Sequence, residues 1–154
     1  MIAQRMSRTR AAVVVALIAG ALAGCAPTET YPARSPWPED PIASSRNSAT
    51  APTAFRERDE LESCGEVVLK QGESVPADAA ACVDAAFASG AELVVLGPTT
   101  EGDPIVTYYR VGPAIEGMEI FIDSTLDQWG FGWSHQLCAA ATSFLDAGEC
   151  AKVA

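Results

Sequence analysis

Positively charged residues are scarce in this 154-residue chain. Ten Lys and Arg stand against twenty Asp and Glu, so the formal net charge is −10. A surface that binds nucleic acid needs grouped Lys and Arg side chains to meet the phosphate backbone. The one group of basic residues lies within the first ten positions. The sequence therefore predicts no nucleic-acid partner.

Long apolar runs and the usual catalytic and metal-binding motifs are also missing. The apolar run at residues 11–23 has 13 residues, whereas a helix that spans a bilayer needs about 20. A single histidine and the absence of a C-x₂-C pair disfavour a zinc site. Neither a D-x-D-x-D-G calcium loop nor a G-x-S-x-G nucleophile turn is present. We predict no cofactor, no metal and no catalytic residue.

What the chain does have, first of all, is a leader over residues 1–24. Three arginines at its start (Arg5, Arg8 and Arg10) precede the apolar run, and small residues follow. This order is typical of an export signal. The leader ends in Leu22-Ala23-Gly24-Cys25, which resembles the lipobox of bacterial lipoprotein precursors.

The lipobox resemblance implies a fate for Cys25. In that family the cysteine thiol receives a diacylglyceryl group, and a peptidase cuts the chain just before it. The product is anchored by lipid to the extracytoplasmic face of the cell membrane. The alternatives are an ordinary secretory signal with an incidental cysteine, or a short anchor that is not cleaved.

Proline dominates the next segment, residues 25–54, which also contains Ser, Thr and Ala without apolar periodicity. Such a composition buries too little apolar surface to offset the entropy of ordering. We predict a disordered tether after the lipidated Cys25. An alternative is that YPARSPWPED, residues 31–40, is a recognition segment for an aromatic-lined groove.

Apolar periodicity begins near Phe55 and predicts a small extracytoplasmic domain over residues 55–154. A helix is predicted from Pro76 toward Gly90, with an alanine-rich buried face. Four runs have the composition of strands, at residues 66–69, 92–96, 105–111 and 118–123. We expect an α+β fold: an antiparallel or mixed sheet of three to four strands with one helix packed on one face. The last two runs are expected to form an antiparallel hairpin with one wet face, and residues 137–150 fit a strand or a helix.

Part of this domain carries a second resemblance. PTTEGDPIVTYYRV, residues 98–111, is followed by MEIFIDSTLDQWG, residues 118–130, and a later cysteine. The pattern resembles the core of an uncharacterised family of small bacterial lipoproteins, which pairs a T-T-E-G-D-P-I turn and strand with a strand ending in D-S/T-x-x-D. The resemblance spans roughly residues 66–138. It implies a fold and a cellular address but no reaction.

Four cysteines remain after Cys25, and an even number in a small exported domain indicates two disulfides. They are Cys64, Cys82, Cys138 and Cys150. Three connectivities are possible. We favour pairing between sequence neighbours, Cys64 with Cys82 and Cys138 with Cys150.

Acidic residues in two turns are candidates for ligand or partner contacts. They are Glu101, Asp103, Asp123 and Asp127. If they converge, hard oxygen ligands would suit Ca²⁺, and together with His135 they would suit a small hydrolase or a metal-dependent enzyme. The alternative is that these carboxylates hold the turns themselves.

Three aromatic residues, Trp129, Phe131 and Trp133, alternate with glycine in the sequence. They could form an exposed patch for a glycan or protein partner, or a lid over a small core. The leading hypothesis is a non-enzymatic lipoprotein that binds an envelope protein or a wall component, with Trp129 and Trp133 in the binding surface. Clustering of the acidic residues with His135 in a pocket would favour the enzyme instead.

Overall fold

A computed structural model describes residues 37–153. The predicted signal peptide, the lipidation site Cys25 and residues 26–36 lie outside this range. No helix among the described residues is long and apolar enough to cross a bilayer.

The described chain forms one mixed, six-stranded sheet with three short helices. The helices are α1 (Pro41–Arg46), α2 (Thr53–Arg56) and α3 (Ala77–Ala85). The strands are β1 (Glu62–Val68), β2 (Ala91–Pro98), β3 (Pro104–Val111), β4 (Met118–Asp123), β5 (Trp133–Cys138) and β6 (Ala151–Lys152). They lie side by side in chain order. The β1–β2 pair is parallel and all others are antiparallel.

This architecture corrects the predicted strand number. The sheet has six strands rather than three to four, so the domain is mostly β. The predicted β3–β4 hairpin is confirmed, with Tyr108 opposite Phe121. β5 was missed because its centre, Ser134 to Gln136, is polar and lacks the alternation expected of a strand.

One face of the sheet, here called the helix face, is covered by α3 and by the loop between β5 and β6. Pro76 occupies the N-cap of α3. Ala79, Val83 and Ala86 then pack on Leu93 and Val95, as the alanine-rich periodicity predicts. Phe144 of the loop contacts Tyr109, with 4.8 Å between ring centroids.

Two disulfides hold the cover of the helix face in place. Cys64 of β1 is bonded to Cys82 of α3, and Cys138 of β5 is bonded to Cys150 just before β6. The favoured pairing of sequence neighbours is therefore confirmed. Closing loops of this size stabilises a domain by about 3 kcal/mol each.

The opposite face, here called the segment face, is covered by residues 41–56. Ile42, Ala51 and Phe55 are buried against Tyr108 and Phe121. The Phe55 ring lies 4.6 Å from the Tyr108 ring and 5.3 Å from the Phe121 ring. The predicted tether, residues 25–54, is thus wrong for residues 41–54, which fold onto the sheet. The prediction that one face of the β3–β4 hairpin is exposed to solvent is wrong for the same reason.

A chain of ion pairs crosses one end of the segment face. Glu92 contacts Arg58 at 2.9 Å and Arg110 at 3.2 Å, and Arg110 also pairs with Glu119. The Arg58 guanidinium lies 3.7 Å above the Phe55 ring. Arg110 is buried, so its two carboxylate partners compensate for its loss of water.

β1 forms one edge of the sheet and carries an irregularity. Its register with β2 shifts between Ser63 and Glu66, and Gly65 between them has φ of +102°. Only glycine adopts this conformation at little cost. The shift is a bulge in the edge strand.

Candidate functional site

The loop between β4 and β5, residues 124–132, displays two large aromatic side chains; it is here called the aromatic loop. Phe131 is 102% exposed and Trp129 is 69% exposed. Large aromatic side chains are normally among the most buried residues of a small domain. Full exposure of a phenyl ring beside an exposed indole makes this loop the candidate contact surface.

Hydrogen bonds across the base of the aromatic loop fix its backbone. The Ser124 hydroxyl donates to the Gly132 carbonyl at 2.6 Å, and the Ser124 amide donates to the same oxygen at 3.0 Å. Within the loop, the Gly130 amide donates to the Asp127 carbonyl at 3.0 Å. Trp129 and Phe131 are therefore held outward by an ordered turn.

Gly130 allows the two sides of the loop to approach closely. A Cβ atom at this position would lie 2.1 Å from the Ser124 carbonyl oxygen, well inside van der Waals contact. No side chain larger than hydrogen fits without moving the backbone. The glycine between the aromatics is thus required by the shape of the aromatic loop.

Three of the four predicted acidic residues build this loop. Asp123 accepts from the Thr125 amide at 3.0 Å and from the Thr125 hydroxyl at 2.7 Å. Asp127 accepts from the Trp129 amide at 3.0 Å. Asp103, on the turn between β2 and β3, accepts from the Gln128 amide at 3.3 Å. These carboxylates satisfy backbone donors, which is the turn-holding alternative considered above.

The acidic residues are therefore not a ligand surface as a set. Asp103 and Asp123 are buried and do not face solvent, which corrects their assignment to a partner surface. Glu101 is exposed on the turn before β3. No group of three or more His, Cys, Asp or Glu among residues 37–153 could hold a metal ion.

Trp133 does not lie in the exposed binding surface in which the sequence analysis placed it. It is partly buried on the segment face, with its ring 4.5 Å from Phe55 and 6.2 Å from Tyr108. Trp133 therefore belongs to the core, as the lid alternative states. Of the two predicted surface tryptophans, only Trp129 is largely exposed.

His135 lies on β5 and pairs with a residue that sequence reasoning did not single out. Its Nε2 is 2.9 Å from a Glu119 carboxylate oxygen, and its ring stacks on Phe121 at 4.2 Å. Its hydrogen-bonded acidic partner is thus Glu119 of the ion-pair chain, not a turn carboxylate. The register of β4 and β5 determines this pairing, because Phe121 lies opposite His135 and Glu119 is two residues away on the same face.

The tyrosines of β3 titrate away from their ordinary range. Burial raises the pKa of Tyr108 to about 12, although the neighbouring Ser45 hydroxyl and Arg46 oppose part of this effect. Burial also raises the pKa of Tyr109, on the opposite face. Both phenols remain protonated at neutral pH, so neither supplies a base.

No protein-family model, curated protein or solved structure matches this chain.

Proposed function

We propose that this protein is a membrane-anchored extracytoplasmic lipoprotein whose domain binds an envelope protein through Trp129 and Phe131. The role is non-enzymatic. One observation carries the proposal: a loop with a hydrogen-bonded backbone holds two large aromatic side chains in water.

Exposure of these rings gives the isolated domain no stability. Removing a Phe side chain from water contributes about 1.5–3 kcal/mol, and this free energy is recovered only when something covers the ring. A loop that is already ordered loses little further conformational entropy on binding. Trp and other aromatics at the centre of an interface commonly carry much of its binding energy.

The geometry favours a protein over a wall glycan as the partner. Sugar recognition combines a stacking ring with polar side chains that bind hydroxyl groups, but Asp123 and Asp127 already accept hydrogen bonds from the aromatic loop itself. Phe131 protrudes fully, which suits insertion into an apolar pocket. We therefore assign the partner as a protein with such a pocket.

The cellular address in this proposal rests on the leader and the cysteines. The basic and apolar leader, followed by the lipobox sequence at Cys25, is the pattern of a lipid-anchored precursor. Two disulfides in so small a domain fit an oxidising compartment. Cys25 is left outside both bridges and is available for lipid.

Site-specific photocrosslinking in intact cells tests the partner surface. p-Benzoylphenylalanine placed at Phe131 is expected to give one discrete adduct with an envelope protein. The matched control places it at Leu145, which is 87% exposed on the loop between β5 and β6. The adduct should disappear when Trp129→Ala is added. Equal crosslinking from both positions, or none from position 131, contradicts the proposed surface.

The anchor is tested separately by Cys25→Ser. This variant is expected to leave the membrane fraction and to appear in the soluble envelope or medium. Continued membrane association would refute the lipid anchor and leave the test of the aromatic loop unaffected.

A further inference from the structure

A cavity of about 570 Å³ lies between the start of α2 and the strands β5 and β6. Its first wall includes Thr50, Thr53 and Ala54, and its second includes Trp133, His135 and Lys152. This volume is in the range of sites that hold small organic ligands. The aromatic loop contributes no residue between 124 and 132 to the lining.

The charge of the lining is opposite to that of the whole chain. Lys152 and His135 are its ionisable side chains, and no Asp or Glu lines the cavity, although the chain has twenty acidic residues. Lys152 is exposed and forms no ion pair with any other residue of the described range 37–153. An ammonium group without a carboxylate partner, at the rim of a cavity without acids, favours an anionic ligand.

The side chains of the second wall are held by contacts with the rest of the domain. His135 is held by Glu119 at 2.9 Å and by stacking on Phe121, and Glu119 is fixed in turn by Arg110. Trp133 packs against Phe55, with 4.5 Å between ring centroids, and its ring is 6.2 Å from that of Tyr108. Side chains that already make such contacts lose less conformational freedom when a ligand is bound.

The lining also has both polar and apolar groups. Thr50, Thr53 and Ser134 carry hydroxyls, whereas Pro52, Ala54 and the Trp133 ring are apolar. The Trp133 indole nitrogen is buried and has no hydrogen-bond partner within residues 37–153. A buried donor that the protein leaves unsatisfied is costly unless something else accepts from it.

We propose that this cavity binds a small organic carboxylate. The carboxylate pairs with Lys152 and accepts from the hydroxyls of the lining, while the apolar body of the ligand lies against Trp133 and Pro52. This site is separate from the aromatic loop and does not depend on the function proposed for that loop.

Benzoate is the probe, and the uncharged benzamide of the same shape is its control. Both are titrated into the ¹⁵N-labelled domain, residues 25–154 with Cys25→Ser, and the indole N–H signal of Trp133 is followed by NMR after assignment with Trp133→Phe. Benzoate is expected to shift this signal saturably, and benzamide is not. Benzamide binding as tightly as benzoate would overturn the assignment to an anion.

Two lysine variants test the charge. Lys152→Gln is expected to weaken benzoate binding about two- to fivefold, because Lys152 is exposed and an ion pair in contact with water is weaker than a buried one. Lys70→Gln makes the same change in net charge at an exposed position outside the cavity and should leave binding unchanged. Equal losses in the two variants would show that only the overall charge matters and would refute the site.

A third variant tests the cavity without altering charge. Ala54→Trp fills the space from the exposed side of α2 and is expected to abolish the benzoate shift while the rest of the spectrum stays dispersed. Trp129→Ala in the aromatic loop should bind benzoate normally. Saturable binding that survives Ala54→Trp, or no saturable shift in the parent domain, contradicts the proposal.

Discussion

The two faces of the sheet are covered by chain segments of similar size that are held in different ways. On the helix face, small side chains of α3 pack on the sheet, and two disulfides hold the cover. On the segment face, residues 41–56 carry no disulfide and are held by Phe55 and by the ion pair between Arg46 and Glu66. Alanine contacts bury little area per residue, so a covalent bond supplements them, whereas one buried phenyl ring holds the other cover.

The largest expected loss of stability comes from removing the Phe55 ring at the centre of the segment face. Phe55→Ala should lower the free energy of unfolding by about 3–5 kcal/mol, because the ring is fully buried against Tyr108, Phe121 and Trp133. Urea unfolding measures the loss. Hydrogen exchange should show residues 41–56 losing protection while α3 keeps it.

A conservative variant serves as the control for this prediction. Phe55→Leu retains most of the apolar volume and should cost clearly less than Phe55→Ala. If Phe55→Ala unfolds at the same urea concentration as the parent protein, the Phe55 ring does not hold this cover, and the contrast between the two faces fails.

The next largest loss of stability is expected from removing the disulfide between β1 and α3 on the helix face. Replacing Cys64 and Cys82 with Ala should cost about 3 kcal/mol through loss of the constraint on the unfolded chain. Calorimetry under non-reducing conditions gives the size. In this variant the exchange pattern should reverse, with α3 losing protection and residues 41–56 keeping it. Equal loss of protection on both faces would show that the two covers unfold as one unit.

The smallest expected effect is on the loss of stability at alkaline pH, to which two neighbouring tyrosines on opposite faces contribute. The pKa of Tyr108 is about 12 in the folded protein and about 10 when unfolded, so the folded state keeps its proton longer. The resulting stability is complete below pH 10 and is lost as the pH rises through 12, by roughly 2 kcal/mol. Tyr108→Phe should therefore flatten the fall of stability between pH 10 and 12, as measured by urea unfolding at each pH.

Tyr109→Phe gives the matched measurement for the helix face. Burial raises the pKa of Tyr109 as well, so this variant should remove a separate part of the same alkaline slope. A slope that neither substitution alters would show that other groups cause the alkaline loss.

Sequence patterns predicted the central elements well, because those elements have strong periodicity. The bounds of β4, Met118–Asp123, match the prediction, and β3 differs by one residue at its start. α1 and α2 were missed since helices of six and four residues are too short to show an amphipathic period. Their prolines, which cap or begin these helices, instead resemble those of a flexible linker.

The candidate site was predictable only in part. Sequence spacing singled out Trp129 and Trp133 together, but exposure depends on where β5 begins. Trp133 is the first residue of that strand and turns into the core, while Trp129 remains in the aromatic loop. Contacts between residues far apart in sequence, such as Asp103 with Gln128, come from tertiary packing and leave no local pattern.

The bulge at Gly65 has a consequence for how this chain behaves at high local concentration. β1 presents an unpaired row of backbone donors and acceptors, which in a regular strand would template the addition of another copy. The register shift between Ser63 and Glu66 interrupts that row, and the exposed Glu62 places a negative charge on the edge. The sheet is thereby protected against edge-to-edge aggregation through β1.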